Sequence, residues 1–313
     1  MTFVDAIVLG LVEGITEFLP VSSTGHLILT AWLLGLGDSA EEKAAVDAFN
    51  VVIQGGAILA VAGLYWPRVR GMLLGLAGRD VRGLSLFLKL VVAFLPAGLL
   101  GPLLDDAIEA RLFRPGPVIS ALALGGILLI ALKPWQDRIL RDERQGHARR
   151  RGIDDLSFLD CLLIGILQCV AMWPGTSRSM MTIVGGLLVG LSPVAAAEFS
   201  FLLGLPTLGG ACVYKLLKEY RDHGTGTIEV LGGALPVTIG ILTAMVAAAI
   251  AVKWLVGFLG KNSMALFGWW RIALAAGLGA AIASGAITLE VAGEPQGSEG
   301  NPASGGSSGA SSP

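Results

Sequence analysis

The chain has 313 residues, of which 54% are hydrophobic and only 15% charged, with a formal net charge of -2 and a mean hydropathy of +0.73. Soluble chains carry about 25% charged residues, so these values exclude an ordinary soluble domain and require a membrane protein. No run of bases interleaved with aromatics points to nucleic acid, and Cys161, Cys169 and Cys212 form no Cys-x-x-Cys pair, which leaves them as small packing residues rather than a redox or metal site.

Taken from its start, the chain has no basic lead, and Asp5, Glu13 and Glu17 interrupt its first apolar run, so a signal peptide is not expected. Residues 13–26 read Glu-Gly-Ile-Thr-Glu-Phe-Leu-Pro-Val-Ser-Ser-Thr-Gly-His. Pro20 supplies no amide hydrogen and disfavours helix at the residue before it. Ser22, Ser23 and Thr24 can cap the helix that restarts, leaving its free amides and positive dipole end at the break. Neither half reaches the roughly 20 apolar residues that a span requires, so the segment is predicted to be a re-entrant hairpin. An acidic loop at 37–47 follows, then spans at 49–66 and 86–104 flanking a basic, glycine-punctuated loop, and a span at 117–132 after a mixed loop at 105–115. Lys133 to Asp155 is the most basic segment. Two short apolar runs, 156–173 and 180–191, flank Pro174-Gly175-Thr176-Ser177-Arg178-Ser179 as a second hairpin. Spans follow at 195–217, 231–252 and 264–287, and a Gly/Ser/Pro-rich tail over 290–313 is expected to be disordered.

The predicted fold is therefore an all-α polytopic membrane protein with six full transmembrane helices and two re-entrant helical hairpins. Asp5, Gly10 and Glu13 recur as Asp160, Gly165 and Gln168, and Pro-x-x-Ser follows in both places with one residue of slippage. Phe49 and Phe199 open the span after each hairpin. This layout predicts an inverted repeat within one membrane domain, 1–289, with repeats at about 1–132 and 156–289 and a basic loop at 133–155 between them. Arginine-rich loops at 67–85 and 133–156 belong in the cytoplasm. Both termini and the loop at 37–47 then lie outside, and the hairpins enter from opposite faces.

Non-helical backbone at membrane depth must be buried in protein or line a cavity, so the two breaks are expected to meet. Glu13 and Glu17, four apart, share a helix face. They could hold a divalent cation against phosphate oxygens, and either could act as a base. His26, three residues after Ser23, permits a Ser–His nucleophile pair or an acid for the leaving group, and a helix–helix hydrogen bond is its plainer role. Arg178, beside a helix start with Ser177, Ser179 and Thr182, suits a multiply charged anion, and a structural ion pair with Glu13 or Glu17 is the alternative. Ser22, Thr24 and Gln54 complete the substrate-binding candidates.

The 13–26 and 174–179 motifs, with Gly-Gly-Leu-Leu-Val-Gly-Leu-Ser (185–192) and Ala-Ala-Ala-Glu-Phe-Ser-Phe-Leu-Leu (195–203), resemble the undecaprenyl pyrophosphate phosphatases of the bacitracin-resistance type, from about residue 3 to about 285. The resemblance implies a multi-pass enzyme of the bacterial inner membrane. It would remove the terminal phosphate of undecaprenyl pyrophosphate and so recycle the lipid carrier for peptidoglycan synthesis. It implies Glu13, Glu17, Ser23, His26 and Arg178 as catalytic residues and magnesium or calcium as cofactor, and leaves a homodimer open. Met180 and Met181 stand where that family usually has small residues, and Asn50 where an acidic residue is common. A midplane site in an inverted repeat would also serve a lipid flippase or anion transporter. A Ser–His intramembrane protease leaves Arg178 and the glutamates without a role.

Overall fold

The computed structural model describes residues 1–37, 39–146, 151–224 and 227–285; the expected disordered tail lies outside them. The first hairpin is α1 (Phe3–Thr16) and α2 (Ser23–Leu33), followed by α3 (Ala40–Leu64), α4 (Trp66–Leu76), α5 (Val81–Leu112), α6 (Pro115–Ala131) and α7 (Lys133–Arg144). The second hairpin is α8 (Phe158–Val170) and α9 (Arg178–Leu188), followed by α10 (Pro193–His223), the short α11 (Thr227–Val230), α12 (Ala234–Leu259) and α13 (Ala265–Ala283). Five helices are long and apolar enough to cross a membrane, or six when α6 and α7, bent by 43°, count as one.

Several expected loops are helical. The segment 66–76 forms α4 because Pro67 sits in its first turn and neither Gly71 nor Gly75 has positive φ. Asp80 then caps α5, its carboxylate accepting from the Gly83 amide at 3.0 Å. α5 runs through Pro96 and Pro102 to Leu112, so the loop expected at 105–115 shrinks to its last two or three residues. α3 begins at Ala40, capped by Ser39, within the expected acidic loop. The spans after the hairpins thus open at Ala40 and Pro193, well before Phe49 and Phe199, which are both wholly buried in the core.

The two hairpins match at a constant offset of 155. Thr2 and Asp5 cap α1 reciprocally, at 2.6 and 3.2 Å, and Ser157 and Asp160 do the same for α8, at 2.8 and 3.2 Å. Ser22 and Ser177 both occupy the N-cap of the second helix, so the helices keep the 155 offset while the Pro-x-x-Ser motifs lie one residue out of that register. Packing partners correspond as well: α1 lies on α12 and α8 on α5, while α3 meets α10 and α6 meets α13. Small residues make these approaches possible. A methyl at Gly10 would come within 2.6 Å of the Gly240 carbonyl oxygen, one at Gly165 would strike the Ala93 carbonyl, and a methyl at either Gly126 or Gly268 would come 2.7 Å from the other's carbonyl oxygen.

Gly14→Ala therefore tests the α1–α12 seam, because the new methyl meets the Ala244 carbonyl and lies 2.7 Å from Ala247 Cβ, whereas nothing lies within 4 Å at Gly55. Overpacking of this kind costs about 1–3 kcal/mol. In detergent, Gly14→Ala should melt several degrees below wild type and Gly55→Ala should not. Equal melting of the two variants would contradict the seam.

Each hairpin starts and ends at one end of the bundle. Met1, Leu34, Leu36, Leu231 and Val237 share one apolar cluster at the first hairpin's end. At the other, Arg68 donates to Asp154 at 3.2 Å and to Glu198 at 3.1 Å, and Lys89 donates to the Asp154 carbonyl at 2.8 Å. Arg144 donates to the Lys261 carbonyl at 2.7 Å. The second hairpin is tied to this basic end, where the Arg151 amide donates to the Gly190 carbonyl at 3.4 Å and the Ser192 amide to the Arg151 carbonyl at 3.2 Å. The tips meet between the two ends, Ser179 Oγ donating to the Leu19 carbonyl at 2.9 Å.

Candidate active site

Ser22 (φ 72°) and Ser177 (φ 77°) are the non-glycine residues with positive φ among the described residues. Such a conformation costs on the order of 1–3 kcal/mol and persists where the surroundings impose it. Both lie at hairpin breaks. α1 ends at Thr16, with Glu17 as its C-cap, so the helix stops three residues before Pro20 rather than at it. The Ser22 side chain makes no capping bond at the start of α2, which leaves the first amides of that helix for an anion. At α9 the Ser177 hydroxyl accepts from the Met180 amide at 3.3 Å.

Ser23, the first residue of α2, donates its hydroxyl to Glu17 Oε2 at 2.7 Å. The other Glu17 oxygen, Oε1, faces Arg178 Nη2 at 3.4 Å, with both side chains about nine-tenths buried or more. Arg178 also donates to the Ser200 carbonyl at 3.0 Å and lies over the Phe18 ring at 5.7 Å, while its Nε has no partner. Gly204 on α10 makes room for it, since a methyl there would sit 3.3 Å from both terminal nitrogens. Hydroxyl, carboxylate and guanidinium thus form a continuous chain across the junction of the two breaks. Glu13, one turn before Glu17, is 1% exposed. Gln54 lies beside its carboxylate, yet Glu13 Oε1 has no partner. A buried carboxylate oxygen without a donor is costly, and it fits a position where a cation would sit.

His26 does not join Ser23. Its Nδ1 lies 2.7 Å from the Ser22 carbonyl and its Nε2 accepts from the Trp270 indole at 2.7 Å. A carbonyl can only accept and an indole N–H can only donate, so these neighbours fix a neutral ring with the proton on Nδ1. Neither nitrogen is left to take the Ser23 proton. The expected Ser–His pair is replaced by a Ser–Glu pair, because the first residue of α2 points its hydroxyl back across the break toward the end of α1.

The remaining candidates divide. Ser177 and Ser179 hydroxyls are 3.0 Å apart, and Ser179, wholly buried, is committed to Leu19. Thr182 bonds the Arg178 carbonyl at 2.9 Å and Ser200 Oγ at 2.6 Å, so it braces the start of α9 instead of facing a ligand. Thr24 is half-buried at the start of α2. Met180 and Met181 are buried in the main core, at 1% and 7% exposure, and so pack the hairpin rather than set pocket width. Asn50 Oδ1 is buried without a partner, one turn before Gln54. Sequence reasoning missed Ser200, Gly204, Trp270 and Arg271. Arg271 alone carried a signal, as a charge inside an apolar run that reads as a span.

Residues 6–277 match the family model described as "Bacitracin resistance protein BacA". A protein of Sorangium cellulosum is 44% identical over 276 residues, covering 88% of this chain and 85% of that protein. One from Acidovorax ebreus is 43% identical, covering 87% and 92%, and one from Deinococcus deserti is 43% identical, covering 92% and 98%. All three carry the name undecaprenyl-diphosphatase.

Proposed function

The chain belongs to the bacitracin resistance protein BacA family, and from that membership we infer that it is an undecaprenyl-diphosphatase: a multi-pass membrane hydrolase that converts undecaprenyl pyrophosphate to undecaprenyl phosphate and inorganic phosphate. The name of its relatives favours hydrolysis over transport. The observation that carries the chemistry is the Ser23–Glu17–Arg178 chain at the junction of the breaks.

In this reading the terminal phosphate lies over the open amides of α2, and the Arg178 guanidinium grips its oxygens. Ser23 Oγ attacks the terminal phosphorus as the bridging P–O bond breaks, and Glu17 takes the Ser23 proton. The leaving group is undecaprenyl phosphate. Water then hydrolyses the phosphoserine to release inorganic phosphate. Positioning and charge neutralisation carry most of the rate in phosphoryl transfer. Glu13, with Glu17, would hold a divalent cation, which when bound supplies positive charge against the pyrophosphate oxygens. His26 orients the break through the Ser22 carbonyl.

Phosphate release by purified protein in detergent tests the activity, since no compartments exist there to transport between. Absence of release from undecaprenyl pyrophosphate in the presence of magnesium or calcium would overturn it.

The basic end of the bundle belongs in the cytoplasm by the bias of Lys and Arg in short loops. Both termini then lie outside the bacterial inner membrane, and the hairpins insert from opposite faces as an inverted repeat. Single cysteines in a cysteine-free background check this. A cysteine at position 145 should label only from the cytoplasm and one at position 40 only from outside. The reverse pattern, or the same side for both, would sink the topology.

A further inference from the structure

Arg271 is wholly buried in α13, a costly place for a charge unless it holds something. Its Nη2 donates to the Gly175 carbonyl at 2.8 Å and to the Ala121 carbonyl at 3.0 Å, and its Nε donates to the Leu122 carbonyl at 3.3 Å. Gly175 lies in the second break with φ 93°, and a methyl on it would come 2.6 Å from the Val118 carbonyl oxygen. The guanidinium therefore ties the break that presents Arg178 to the backbone of α6. Gly125 on α6 leaves the space for it: a methyl there would strike the Arg271 Nη2 and come within 2.8 Å of its Cζ. Trp270, the preceding residue, donates to His26 Nε2 at 2.7 Å, with the two rings near parallel at 6°. Two adjacent residues of α13 therefore reach the second break directly, through Arg271, and the first through Trp270 and His26.

We propose that Trp270 and Arg271 are a positioning pair for this site: the indole holds His26 in its Nδ1–H form against the Ser22 carbonyl, and the guanidinium fixes the second break through the Gly175 carbonyl. The proposal rests on the phosphatase reading above. It makes α13 the element that sets the distance between Ser23 and Arg178, although α13 supplies no group to the phosphate. A lysine cannot reproduce the fork that reaches three carbonyls.

Two measurements test it. The first is ¹⁵N NMR of histidine-labelled protein lacking His147 and His223, which leaves His26 as its one histidine. Wild-type Trp270 should give a single neutral form protonated at Nδ1, and Trp270→Phe should shift the Nε2 resonance as that nitrogen loses its donor, with kcat lower by roughly two- to tenfold, the loss expected for one neutral hydrogen bond. A ring protonated at Nε2, or a spectrum unchanged in Trp270→Phe, overturns the first half. The second compares Arg271→Lys with Gly125→Ala, which keeps the charge and crowds it. Both should keep KM within about threefold and lose kcat by roughly ten- to 100-fold, as misplacement by about 1 Å does. Wild-type kcat in both overturns the second half. Phosphate release by wild type in the same assay, and the NMR result, which needs no turnover, separate failure of this pair from failure of the phosphatase reading.

Discussion

Ser23→Ala is expected to lose the chemical step almost entirely, by well over 150-fold, with wild-type enzyme retaining labelled phosphate when quenched in acid. The size decides between mechanisms. If a water attacked and Ser23 were only a ligand, the variant would lose one hydrogen bond, worth about 0.5–1.5 kcal/mol, or up to ~3 kcal/mol to a charged phosphate. That corresponds to a loss of roughly two- to 150-fold. The 2.7 Å bond from Ser23 to Glu17 Oε2 gives the hydroxyl a base already in contact, which a covalent route needs. Glu17→Gln keeps an acceptor there but no base, and should lose about 10²–10⁴-fold. His26→Gln should lose much less, since the imidazole has both nitrogens engaged elsewhere. Activity of Ser23→Ala within the 150-fold window, together with no phosphoenzyme in wild type, would overturn the covalent route. A His26→Gln loss equal to that of Glu17→Gln would restore the imidazole as base.

Arg178→Ala should abolish turnover while the protein stays folded, and Arg178→Lys should recover only a small part. The guanidinium is held by the Ser200 carbonyl, the Phe18 ring and a 3.4 Å contact with Glu17. None of these is the bidentate grip that a phosphate offers. The ion pair with Glu17 does exist, so a structural role was a fair competitor. A structural role, however, predicts loss of folding in Arg178→Ala, because Glu17 would be left buried with the Ser23 hydroxyl but no cation beside it, and breaking a buried ion pair costs about 3–5 kcal/mol. Near-normal turnover, or an unfolded variant rescued by Glu17→Gln, would assign Arg178 to structure alone.

Much of this arrangement was legible because it violates the rules of an apolar chain. Proline, serine and glycine inside segments too short to span mark the breaks, and Glu13, Glu17 and Arg178 are charges that lipid would not tolerate. The helical character of 66–76 was hidden because Arg68, Arg70, Gly71 and Gly75 read locally as a loop. What hides it is tertiary: Gly75 is where α5 approaches, the Leu84 amide lying where a side chain would be. The partner of Ser23 was misjudged for a geometric reason. A spacing of three residues puts His26 on the Ser23 side of a regular helix, but Ser23 is the first residue of α2 and its hydroxyl turns outward over the break. Trp270 gave no sign at all, since an aromatic residue in a span is ordinary.

The constant offset of 155 has a consequence for how such a site can arise. Ser23 and Arg178 occupy the same register in their respective hairpins, and so do Glu13 and Gln168. Two identical hairpins from a symmetric pair of half-length chains would bring two serines to this junction, or two arginines, but never one of each. In one polypeptide each hairpin is free to carry a residue the other does not, so the same register presents Ser23 on one side and Arg178 on the other. In the proposed reaction the matching backbones of the two hairpins supply the place, and the residues in which they differ supply the nucleophile and the clamp.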